Sequence, residues 1–298
     1  MSDCLTGRVI KFYNSFFFVD IASELLPCKL RGLMKRDKCS GSAVCPGDFV
    51  EVSKLKDGTG VIESVQPRRN MLKRPAVANL DQVILTFAAA EPDLNLLLLN
   101  RFLVLAEWSQ IDKIIICVNK IDLIDNAEKF LSEYESLYDI IRVSAVTGKN
   151  IEQLKMQLEN RVTVLTGASG VGKSSILNMV DENFNLKIGN VSEKIKRGRH
   201  TTRVSELIPF AGGFLVDTPG FSAVDLIEIG LDVEQLANCF KEFTNYAGDC
   251  KFTGCSHSHE PNCAVKSAVD NGEILQERYK SYLSMLNEIN ERKKPKYG

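Results

Sequence analysis

Eight consecutive residues in the second half of the chain have the types and spacing of a phosphate-binding loop, Gly167-Ala-Ser-Gly-Val-Gly-Lys-Ser174. Two glycines five positions apart, followed by Lys and Ser, predict a loop whose backbone amides surround a phosphate group. Lys173 would supply positive charge to the β- and γ-phosphates of a nucleotide, and the Ser174 hydroxyl would bind Mg²⁺. The predicted phosphate-binding residues are Gly167, Ala168, Ser169, Gly170, Val171, Gly172, Lys173, Ser174 and Ser175.

The residues on either side of this loop supply the context that such a motif requires. The apolar run Val162–Leu165 predicts a strand before the loop, and Lys173–Val180 predicts a helix after it. The alternative is a glycine-rich turn that ends in Lys-Ser by chance, and the flanking strand and helix argue against it. The loop alone does not specify which base the nucleotide carries.

The segment predicted to bind the base is Asn119-Lys-Ile-Asp122, which directly follows the predicted strand Lys113–Val118. The Asp122 carboxylate can accept hydrogen bonds from N1–H and the exocyclic amino group of guanine, and adenine offers no such pair of donors. Leaving that acceptor unpaired would disfavour adenine by about 1–3 kcal/mol. We expect Asn119 to brace the base edge and the stem of Lys120 to cover the ring face.

A second base-binding segment, Ser144-Ala145, follows the predicted strand Ile140–Val143. A backbone amide at this point can donate to O6 of guanine, and we predict contacts from both Ser144 and Ala145. An isolated Asn-Lys-x-Asp occurs by chance, but its combination with Ser-Ala and a phosphate loop favours a guanine-nucleotide site.

The Mg²⁺ and γ-phosphate contacts are predicted from an Asp-Thr-Pro-Gly sequence that begins at Asp217, at the end of an apolar strand. Asp217 can hold Mg²⁺ through water, and the Gly220 amide can contact the γ-phosphate. Between the phosphate loop and this strand lies Arg199-His-Thr-Thr-Arg203, where a threonine hydroxyl would complete the Mg²⁺ ligands. We favour Thr202 over Thr201 and keep both as predicted nucleotide-binding residues.

The first 66 residues show strand patterns separated by turn signals. Asn14-Ser15 and Asp57-Gly58 each divide a pair of apolar runs and predict two β-hairpins, with strands at Gly7–Tyr13, Phe16–Ile21, Phe49–Leu55 and Thr59–Val65. We expect an OB-type five-stranded barrel, a fold that often binds oligonucleotides across one face. Its aromatic residues either fill the core, which is the commoner role, or form a base-stacking platform; they are Phe12, Tyr13, Phe16, Phe17 and Phe18.

The pattern changes after the barrel. The basic segment 66–75, with prolines near both ends, indicates a linker. From Val77 onward strands and helices alternate, which predicts an α/β sheet covered on both faces. After Phe221 the chain becomes mainly helical. The predicted elements include helices at Leu94–Ser109, Ala127–Leu137, Ile151–Glu159 and Ile274–Arg292, and a hairpin of Val204–Pro209 with Gly213–Val216.

A cluster of cysteine and histidine near the C-terminus has the spacing of a metal site. Cys250, Cys255, His257 and Cys263 supply three thiolates and an imidazole, a set suited to tetrahedral structural Zn²⁺. Because four protein ligands leave no open position, we interpret the site as structural rather than catalytic. His259 is a rival ligand on spacing alone, and a set of buried, reduced cysteines is the alternative to a metal site.

The nucleotide motifs stand in an unusual order. In Ras-like GTPases the phosphate loop comes first and the base-binding motifs last, whereas here residues 119–145 precede residues 167–220. Together with the barrel and the Cys/His cluster, this order resembles the RsgA family of circularly permuted GTPases, over essentially the whole chain. The resemblance favours His257 over His259 as the metal ligand. It implies an OB-fold RNA-binding domain (1–66), a basic linker (67–75), a circularly permuted α/β P-loop GTPase domain (76–223) and a mainly helical zinc-binding domain (224–298).

The resemblance also implies an activity and a partner. It implies a GTPase that hydrolyses GTP with Mg²⁺, is stimulated by the 30S ribosomal subunit, binds 16S rRNA and assists late maturation of that subunit near the decoding region. Phe221 stands where Ras-like GTPases carry the glutamine that orients the attacking water, as an apolar residue does in the family, so we expect slow intrinsic hydrolysis. His200 is the candidate for the missing catalytic group, and a solvent-facing histidine without a catalytic role is the alternative.

The composition is that of an ordinary globular protein, with 298 residues, 44% hydrophobic residues and a net charge of −1. Basic clusters in residues 66–75, 187–203 and 292–296 could contact RNA phosphates, although most short charge runs are solvated surface. Residues 1–10 lack the apolar core of a signal peptide, and no apolar run is long enough to span a bilayer. With nine cysteines expected to be reduced, we predict a cytoplasmic protein, and we expect a monomer.

Two other functional classes stay open at this level. An ATP-using small-molecule kinase or ATPase also needs a phosphate loop, but it leaves Asn119–Asp122 unexplained. A nucleotide-gated RNA-binding protein whose hydrolysis is incidental is the second, and the apolar Phe221 favours it.

Overall fold

The N-terminal strands form the predicted barrel in a computed structural model that describes residues 4–32, 44–73, 76–182, 205–217, 226 and 230–293. Strand β1 pairs with both β2 and β4, while β3 pairs with β2 and β5, and β4 pairs with β5, so the five strands close on themselves. The strands are β1 (Cys4–Tyr13), β2 (Phe16–Ile21), β3 (Glu24–Leu30), β4 (Phe49–Lys54) and β5 (Gly60–Val65).

Two features of the barrel were not resolved by the sequence pattern. Strand β3 was not predicted, because Pro27 stands at its centre and proline is depleted in strands. The aromatic residues differ in burial: Phe17 is 5% exposed and belongs to the core, whereas Tyr13 is 49% exposed. Phe16 and Phe18 are half-buried on the outer side.

The predicted linker includes regular structure. Strand β6 (Met71–Lys73), within the segment, pairs with β7 (Ala76–Ala78), which follows it. Leu72 is buried. Arg68 donates to both carboxylate oxygens of the fully buried Asp48, at 2.7 and 2.8 Å, so this arginine is held by the barrel instead of being free for RNA phosphates.

The central domain contains a mixed sheet in the order β10-β9-β8-β11-β13-β12. Its first five strands are parallel and β12 is antiparallel, so the carboxyl ends of β8, β9, β11 and β13 meet at one edge. The elements are β8 (Gln82–Ala88), α1 (Leu96–Trp108), β9 (Lys113–Asn119), β10 (Asp139–Arg142), α2 (Ile151–Leu158), β11 (Val162–Gly167), α3 (Lys173–Val180), β12 (Glu206–Phe210) and β13 (Gly213–Asp217).

The sheet is covered on both faces, as predicted. Leu85 of β8 packs in the same cluster as Phe102 of α1, whereas its neighbour Ile84 belongs to a second cluster with Leu154 of α2 and Ile176 of α3. Successive residues of β8 therefore serve opposite faces, and all seven residues of this strand are buried. Because the strand is buried along its length, polar groups that bind a ligand are expected in the loops that follow the strands, at the edge of the sheet.

The helix predicted at Ala127–Leu137 is wrong. The segment forms two short 3₁₀ turns, Ala127–Lys129 and Ser132–Tyr134, separated by Leu131 in the left-handed conformation with φ 60°. A left-handed residue breaks the i to i−4 hydrogen bonding of a helix and costs about 1–2 kcal/mol. Here Leu131 and Tyr134 are buried against the core, and this packing overrides the helical preference of the sequence.

The C-terminal part is mainly helical and rests on α1. Its helices are α4 (Val233–Asn238), α5 (Thr244–Ala247), α6 (Ala264–Asp270) and α7 (Gln276–Lys293), with a 3₁₀ turn at Lys241–Phe243. The start of α4 is fixed by a capping box, in which Asp232 accepts from the Gln235 amide and Gln235 accepts from the Asp232 amide. None of the helices in the described ranges is both long enough and apolar enough to cross a membrane.

Two junctions tie the domains together. At the first, Lys11 of β1 pairs with Glu206 of β12, joining the barrel strands to the central sheet, and their side chains form an ion pair at 2.8 Å. At the second, Arg278 of α7 makes a bidentate pair with Glu242 at 2.6 and 2.8 Å and donates to Asn100 of α1 at 3.2 Å. Arg278 is fully buried.

The Arg278 guanidinium stays charged in this buried position. Burial alone would lower the pKa of Arg278, but hydrogen bonds and the charge of Glu242 outweigh it, so the pKa lies above the usual value for arginine. The guanidinium also stacks on Phe240, with Cζ 4.6 Å from the ring centroid. The junction between the central and C-terminal domains therefore consists of buried polar contacts to Asn100 of α1, made by Arg278 at 3.2 Å and Ser281 at 2.8 Å.

Candidate nucleotide and metal sites

The predicted phosphate loop connects β11 to α3 at the carboxyl edge of the sheet. Gly167 has φ 151° and Gly172 has φ 89°, values that side chains resist. A Cβ added at Gly167 would lie 1.9 Å from the Thr86 carbonyl oxygen, and one at Gly172 would lie 2.4 Å from Asn119 Nδ2. Both glycines are thus required by the close approach of β8 and β9 as well as by the turn itself.

Several residues of the loop are accessible to solvent. Ser169, Gly170, Ser174 and Ser175 are exposed, whereas Val171 is buried beneath them. The helix α3 begins at Lys173, so its first amides point toward the loop, an arrangement that suits an anionic group. The exposed Ser174 hydroxyl at this position is free to act as a metal ligand.

Lys173 folds back over its own loop. Its ammonium donates to the carbonyl oxygens of Gly167 at 2.9 Å and Ala168 at 2.7 Å. Burial lowers the pKa of Lys173 from the usual value for lysine, because the surroundings disfavour its charged form. An incoming phosphate would relieve that penalty by placing negative charge beside the ammonium.

Asn119 connects three loops that are far apart in the sequence. It is the last residue of β9 and is 2% exposed. Its Nδ2 donates to the Val171 carbonyl of the phosphate loop at 2.9 Å, and its Oδ1 accepts from the Ala145 amide at 3.1 Å. The predicted base-binding and phosphate-binding segments are therefore adjacent in space, despite their inverted order in the chain.

Lys120 has a partner that the sequence did not indicate. The residue adopts the left-handed conformation with φ 61°, and its ammonium donates to the carbonyl oxygen of Glu91. Pro92 of the same loop lies 3.8 Å from the position that a Cβ of Gly170 would occupy. The loop that follows β8 thus borders the site between the base-binding and phosphate-binding segments, although it matches no motif.

Asp122 and Ser144 are placed differently. Asp122 is exposed, so its carboxylate is accessible to a base. Ser144 is fully buried, and its Oγ accepts from the Thr147 amide at 3.0 Å, which folds the turn that presents Ala145. Ser144 thus shapes the loop, and the half-buried Ala145 offers the backbone contact.

The remaining predicted residues lie at or beyond the described region. Asp217 is the last residue of β13, whose Val216 pairs with Val164 of β11, so it leaves the sheet at the same edge as the phosphate loop. Thr201, Thr202, Gly220, Phe221 and the candidate catalytic His200 lie outside the described residues, as does the basic cluster from Lys187 to Arg203.

The four predicted metal ligands come together in the C-terminal domain. Ligand atoms of Cys250, Cys255, His257 and Cys263 all lie within 4.8 Å of one another. Cys250 Sγ is 3.8 Å from Cys263 Sγ, and His257 Nδ1 is 3.6 Å from Cys250 Sγ and 3.4 Å from Cys263 Sγ. Tetrahedral zinc bonds place neighbouring sulfur and nitrogen ligands about 3.5–3.8 Å apart, so the spacings among Cys250, His257 and Cys263 match ligands of a single ion, and Cys255 is the fourth member of the group.

The structure selects between the two histidines. His257 is 5% exposed, and burial lowers the pKa of its imidazole, which favours the neutral form that binds metals. His259 is exposed and contacts Ser258 Oγ at 2.9 Å instead of joining the cluster. His257 is therefore the histidine of the metal-binding group.

Helix α7 holds the metal-binding loop in place. Tyr279 donates to the carbonyl oxygen of His257 at 2.8 Å, and Tyr282 donates to that of Ser256 at 2.6 Å. The His257 ring meets Phe243 edge-on, with centroids 5.8 Å apart. These aromatic anchors carry no motif, and only their helical spacing along α7 could have indicated that they share a face.

Two family models match the chain. The model described as RsgA N-terminal domain matches residues 6–62, and the model described as RsgA GTPase matches residues 65–227. The two matches cover the barrel and the central domain.

Curated relatives match over nearly the full length. The protein named small ribosomal subunit biogenesis GTPase RsgA of Caldanaerobacter subterraneus is 40% identical over 98% of both chains. The protein of the same name in Clostridium botulinum strain 657 is 43% identical, over 98% of this chain and all of that one.

Solved structures show the same architecture. YjeQ from Thermotoga maritima has a TM-score of 0.80 at 36% identity, covering 96% of this chain and 99% of that chain. YloQ, described as a circularly permuted GTPase, has a TM-score of 0.77 at 34% identity, covering 99% of this chain and 97% of that chain. With its permuted motifs assembled at one sheet edge, the chain belongs to the RsgA family of circularly permuted GTPases.

Proposed function

We propose that this chain binds guanine nucleotide at the carboxyl edge of its central sheet and hydrolyses GTP there in the service of small ribosomal subunit assembly. The observation that carries the proposal is the Asn119 side chain, which joins the phosphate loop to the Ser-Ala loop through two hydrogen bonds. Family membership supports GTP as the substrate.

The base is bound by three elements. Asp122 accepts from guanine N1–H and the exocyclic amino group, and the Ala145 amide donates to O6. Asn119 is already committed to the two loops, so its role is to hold Ala145 and the phosphate loop at a fixed separation. The stem of Lys120, with its ammonium tied to Glu91, covers one face of the ring.

The phosphates are bound by the loop of residues 167–175. Lys173 exchanges its two backbone carbonyl partners for the β- and γ-phosphates, which removes the penalty of its partial burial. The residues that would hold Mg²⁺ are Ser174, Thr202 and Asp217, with Thr201 as the alternative threonine and Gly220 contacting the γ-phosphate. When bound, Mg²⁺ neutralises charge that develops on the phosphate oxygens.

The Cys/His group is a structural zinc site. Three thiolates and a neutral imidazole satisfy all four zinc positions, and a closed site leaves no place for substrate. The site would fix the loop between α5 and α6 and, through Tyr279 and Tyr282, the register of α7. The metal thus supports the domain that rests on α1.

Hydrolysis requires a group to orient the attacking water, and Phe221 cannot hydrogen-bond to it. His200 is the candidate in this chain. Replacing His200 with Ala should lower stimulated turnover while sparing GDP affinity, because the histidine would act only on the water. Unchanged stimulated turnover would remove this assignment.

The proposed partner is the 30S subunit with its 16S rRNA. The named relatives are small ribosomal subunit biogenesis GTPases, which supports this partner. We further propose that the chain acts as a monomer in the cytoplasm. We propose functional units at residues 1–66 for RNA binding, 76–223 for the GTPase and 224–298 for the zinc domain, with residues 67–75 as the connection. Binding should weaken with salt, since RNA phosphates release counterions when they are contacted.

The test is GTP turnover with and without purified 30S subunits, followed by phosphate release. Slow turnover alone and strong stimulation by 30S subunits are expected, with excess ATP unable to compete. The Lys173→Ala variant, prepared in the same way, measures any contaminating GTPase. Absence of stimulation by 30S subunits, or competition by ATP as effective as that by GTP, would overturn the proposal.

A further inference from the structure

Glu260 lies between His257 and Cys263 in the chain, but it is not one of the four residues of the metal-binding group. Its Oε1 accepts from the Ser256 amide at 2.9 Å and from the Ser256 hydroxyl at 2.7 Å, and its Oε2 accepts from the Ser258 amide at 3.1 Å. All three donors belong to the residues directly before and after His257. One carboxylate therefore closes the turn that carries the histidine.

The backbone of Glu260 is itself tied to helix α6. The Lys266 ammonium donates to the Glu260 carbonyl oxygen at 3.1 Å, and α6 begins directly after Cys263. Glu260 thus connects the turn of residues 256–258 to the segment that leads into Cys263. His257 Nδ1 and Cys263 Sγ, which are 3.4 Å apart, come from the two segments that Glu260 connects.

The turn needs this support because His257 has a left-handed backbone conformation, with φ 53°. A residue other than glycine adopts this conformation at an energetic cost, and the conformation persists where the surrounding structure fixes it. Here it is fixed by the hydrogen bonds to Glu260 on either side and by the Tyr279 hydroxyl, which donates to the His257 carbonyl oxygen at 2.8 Å. Relaxation of this backbone would change the direction of the His257 side chain, and Nδ1 would move away from the cysteine sulfurs.

The Glu260 carboxylate is ionised at neutral pH. Burial would raise the pKa of Glu260, but the hydrogen bonds from Ser256 and Ser258 outweigh it and lower the pKa to about 2. Hydrogen bonds to a charged acceptor are stronger than those between neutral groups, which suits a group that must hold a strained turn. The alternative role for an ionised carboxylate beside a metal site is simple attraction of the cation, which does not require hydrogen bonding.

We propose that Glu260 is a positioning residue of the metal site, whose carboxylate holds residues 256–258 so that the imidazole of His257 faces the cysteines. The inference rests on the proposed structural zinc site. It goes further by assigning the orientation of the histidine ligand to a residue that is not itself a ligand.

The test measures the zinc affinity of the full-length chain by competition with a chromophoric chelator. Glu260→Ala removes all three hydrogen bonds and should weaken zinc binding by about 10–100-fold, the usual cost of losing a group that orients a ligand. Glu260→Gln keeps one oxygen that can accept from Ser256 and loses the acceptor for the Ser258 amide. It should therefore bind zinc at least about threefold more tightly than Glu260→Ala.

A second pair of variants shows whether Glu260 acts through the histidine. In His257→Ala the imidazole is already absent, so the further change Glu260→Ala should weaken zinc binding by no more than about twofold. A residue that only stabilises the fold of the loop would have its full effect in both backgrounds.

Two controls accompany these variants. Glu234→Ala removes an exposed carboxylate of α4 in the same domain, so it has the same net charge as Glu260→Ala and should bind zinc like the parent chain. GDP affinity should equal that of the parent in every variant, because the proposed nucleotide site lies in the central domain.

The outcomes distinguish this inference from the zinc site on which it rests. A parent chain that binds zinc, together with a Glu260→Ala affinity within about twofold of it, overturns the inference alone. An equal effect of Glu260→Ala with and without His257 also overturns it, as do equal losses in Glu260→Gln and Glu260→Ala, because charge would then be the cause. A parent chain that binds no zinc overturns the proposed zinc site as well.

Discussion

The Cys/His cluster and the proposed nucleotide pocket of this chain are built in opposite ways. All four metal ligands come from residues 250–263, a single short segment. The pocket takes its residues from the ends of separate strands, from Asn119 at the end of β9 to Asp217 at the end of β13. The spacing of residues in one segment is enough to specify the Cys/His cluster. The pocket forms because the carboxyl ends of the parallel strands lie at the same edge of the sheet.

The two sites also differ in what holds them. The metal loop is tied to α7 by two tyrosine hydroxyls and packs against an aromatic cluster, so its ligands are part of a hydrophobic core. The proposed pocket is bridged by a buried amide, Asn119, whereas Asp122 and Ser174 are exposed and Lys173 is half-buried. We expect changes at the metal cluster to act on folding and changes at the pocket to act mainly on ligand binding and turnover.

The largest effect is expected from the metal. Chelation, or Cys263→Ser, should unfold the C-terminal domain, because structural zinc contributes about 10–16 kcal/mol in small zinc-dependent folds. Hydrogen exchange of α6 and α7 and the near-ultraviolet circular dichroism of Tyr279 and Tyr282 report this loss. Cys4→Ser, at an exposed cysteine outside the cluster, is the control and should change neither signal. Retained protection after chelation would contradict a folding role for the metal.

The buried ion pair of α7 should come next. Arg278→Met leaves Glu242 charged and unpaired in the interior, which should reduce the free energy of unfolding by about 3–5 kcal/mol. The double variant Arg278→Met/Glu242→Met should recover most of that loss. Arg101→Met, whose partner Glu288 is partly exposed, is the matched control and should cost no more than about 1 kcal/mol. Chemical denaturation measures all three, and equal losses at the two arginines would show that burial is not the cause.

At the pocket, Lys173→Ala should act on chemistry rather than on folding. The kcat for GTP should fall at least about 100-fold, since a charge aimed at the transferred phosphate is removed. The free energy of unfolding should change by no more than about 1 kcal/mol, because among the described residues the hydrogen bonds of this lysine go to its own loop. Lys155→Ala, at a half-buried lysine of α2 that pairs with Glu152 on the same helix, should leave both quantities nearly unchanged. A large loss of stability in Lys173→Ala would contradict the expectation that changes at the pocket act on ligand binding and turnover rather than on folding.

The smallest effect separates two residues of one motif. Asn119→Ala removes both hydrogen bonds between the loops and should weaken GTP and GDP alike, by about 1–3 kcal/mol, with a small drop in melting temperature. Asp122→Asn should weaken guanine nucleotides by a similar amount without lowering the melting temperature, because Asp122 is exposed. Calorimetric titration and thermal melting distinguish the two variants. Equal melting temperatures for Asn119→Ala and Asp122→Asn would show that Asn119 does not bridge the two loops.

Much of the architecture could be predicted because its signals are local. The hairpin turns, the glycine-rich loop and the alternation of apolar runs identified the barrel and the α/β sheet, and helix α3 has the predicted bounds. The segment after Asn119–Asp122 was mispredicted as a helix because Leu131 takes a left-handed conformation that only its packing explains. Prolines near both ends of the basic segment 66–75 predict a linker, and they give no sign that the partner of Arg68 is Asp48, twenty residues away in the barrel.

The amino-acid sequence by itself determined which functional motifs are present, their permuted order and a Cys/His set with metal-binding spacing. Tertiary structure decided which residues of these motifs are in contact. It chose His257 over His259, turned Phe17 inward and Tyr13 outward, and brought Asn119 to the phosphate loop across 52 positions of sequence. The physical reason is that the spacing of residues in the sequence determines which side chains are neighbours within one turn or strand. Contact between distant loops depends instead on the order of strands in the sheet. That order is set by the burial of apolar side chains on both faces of the sheet.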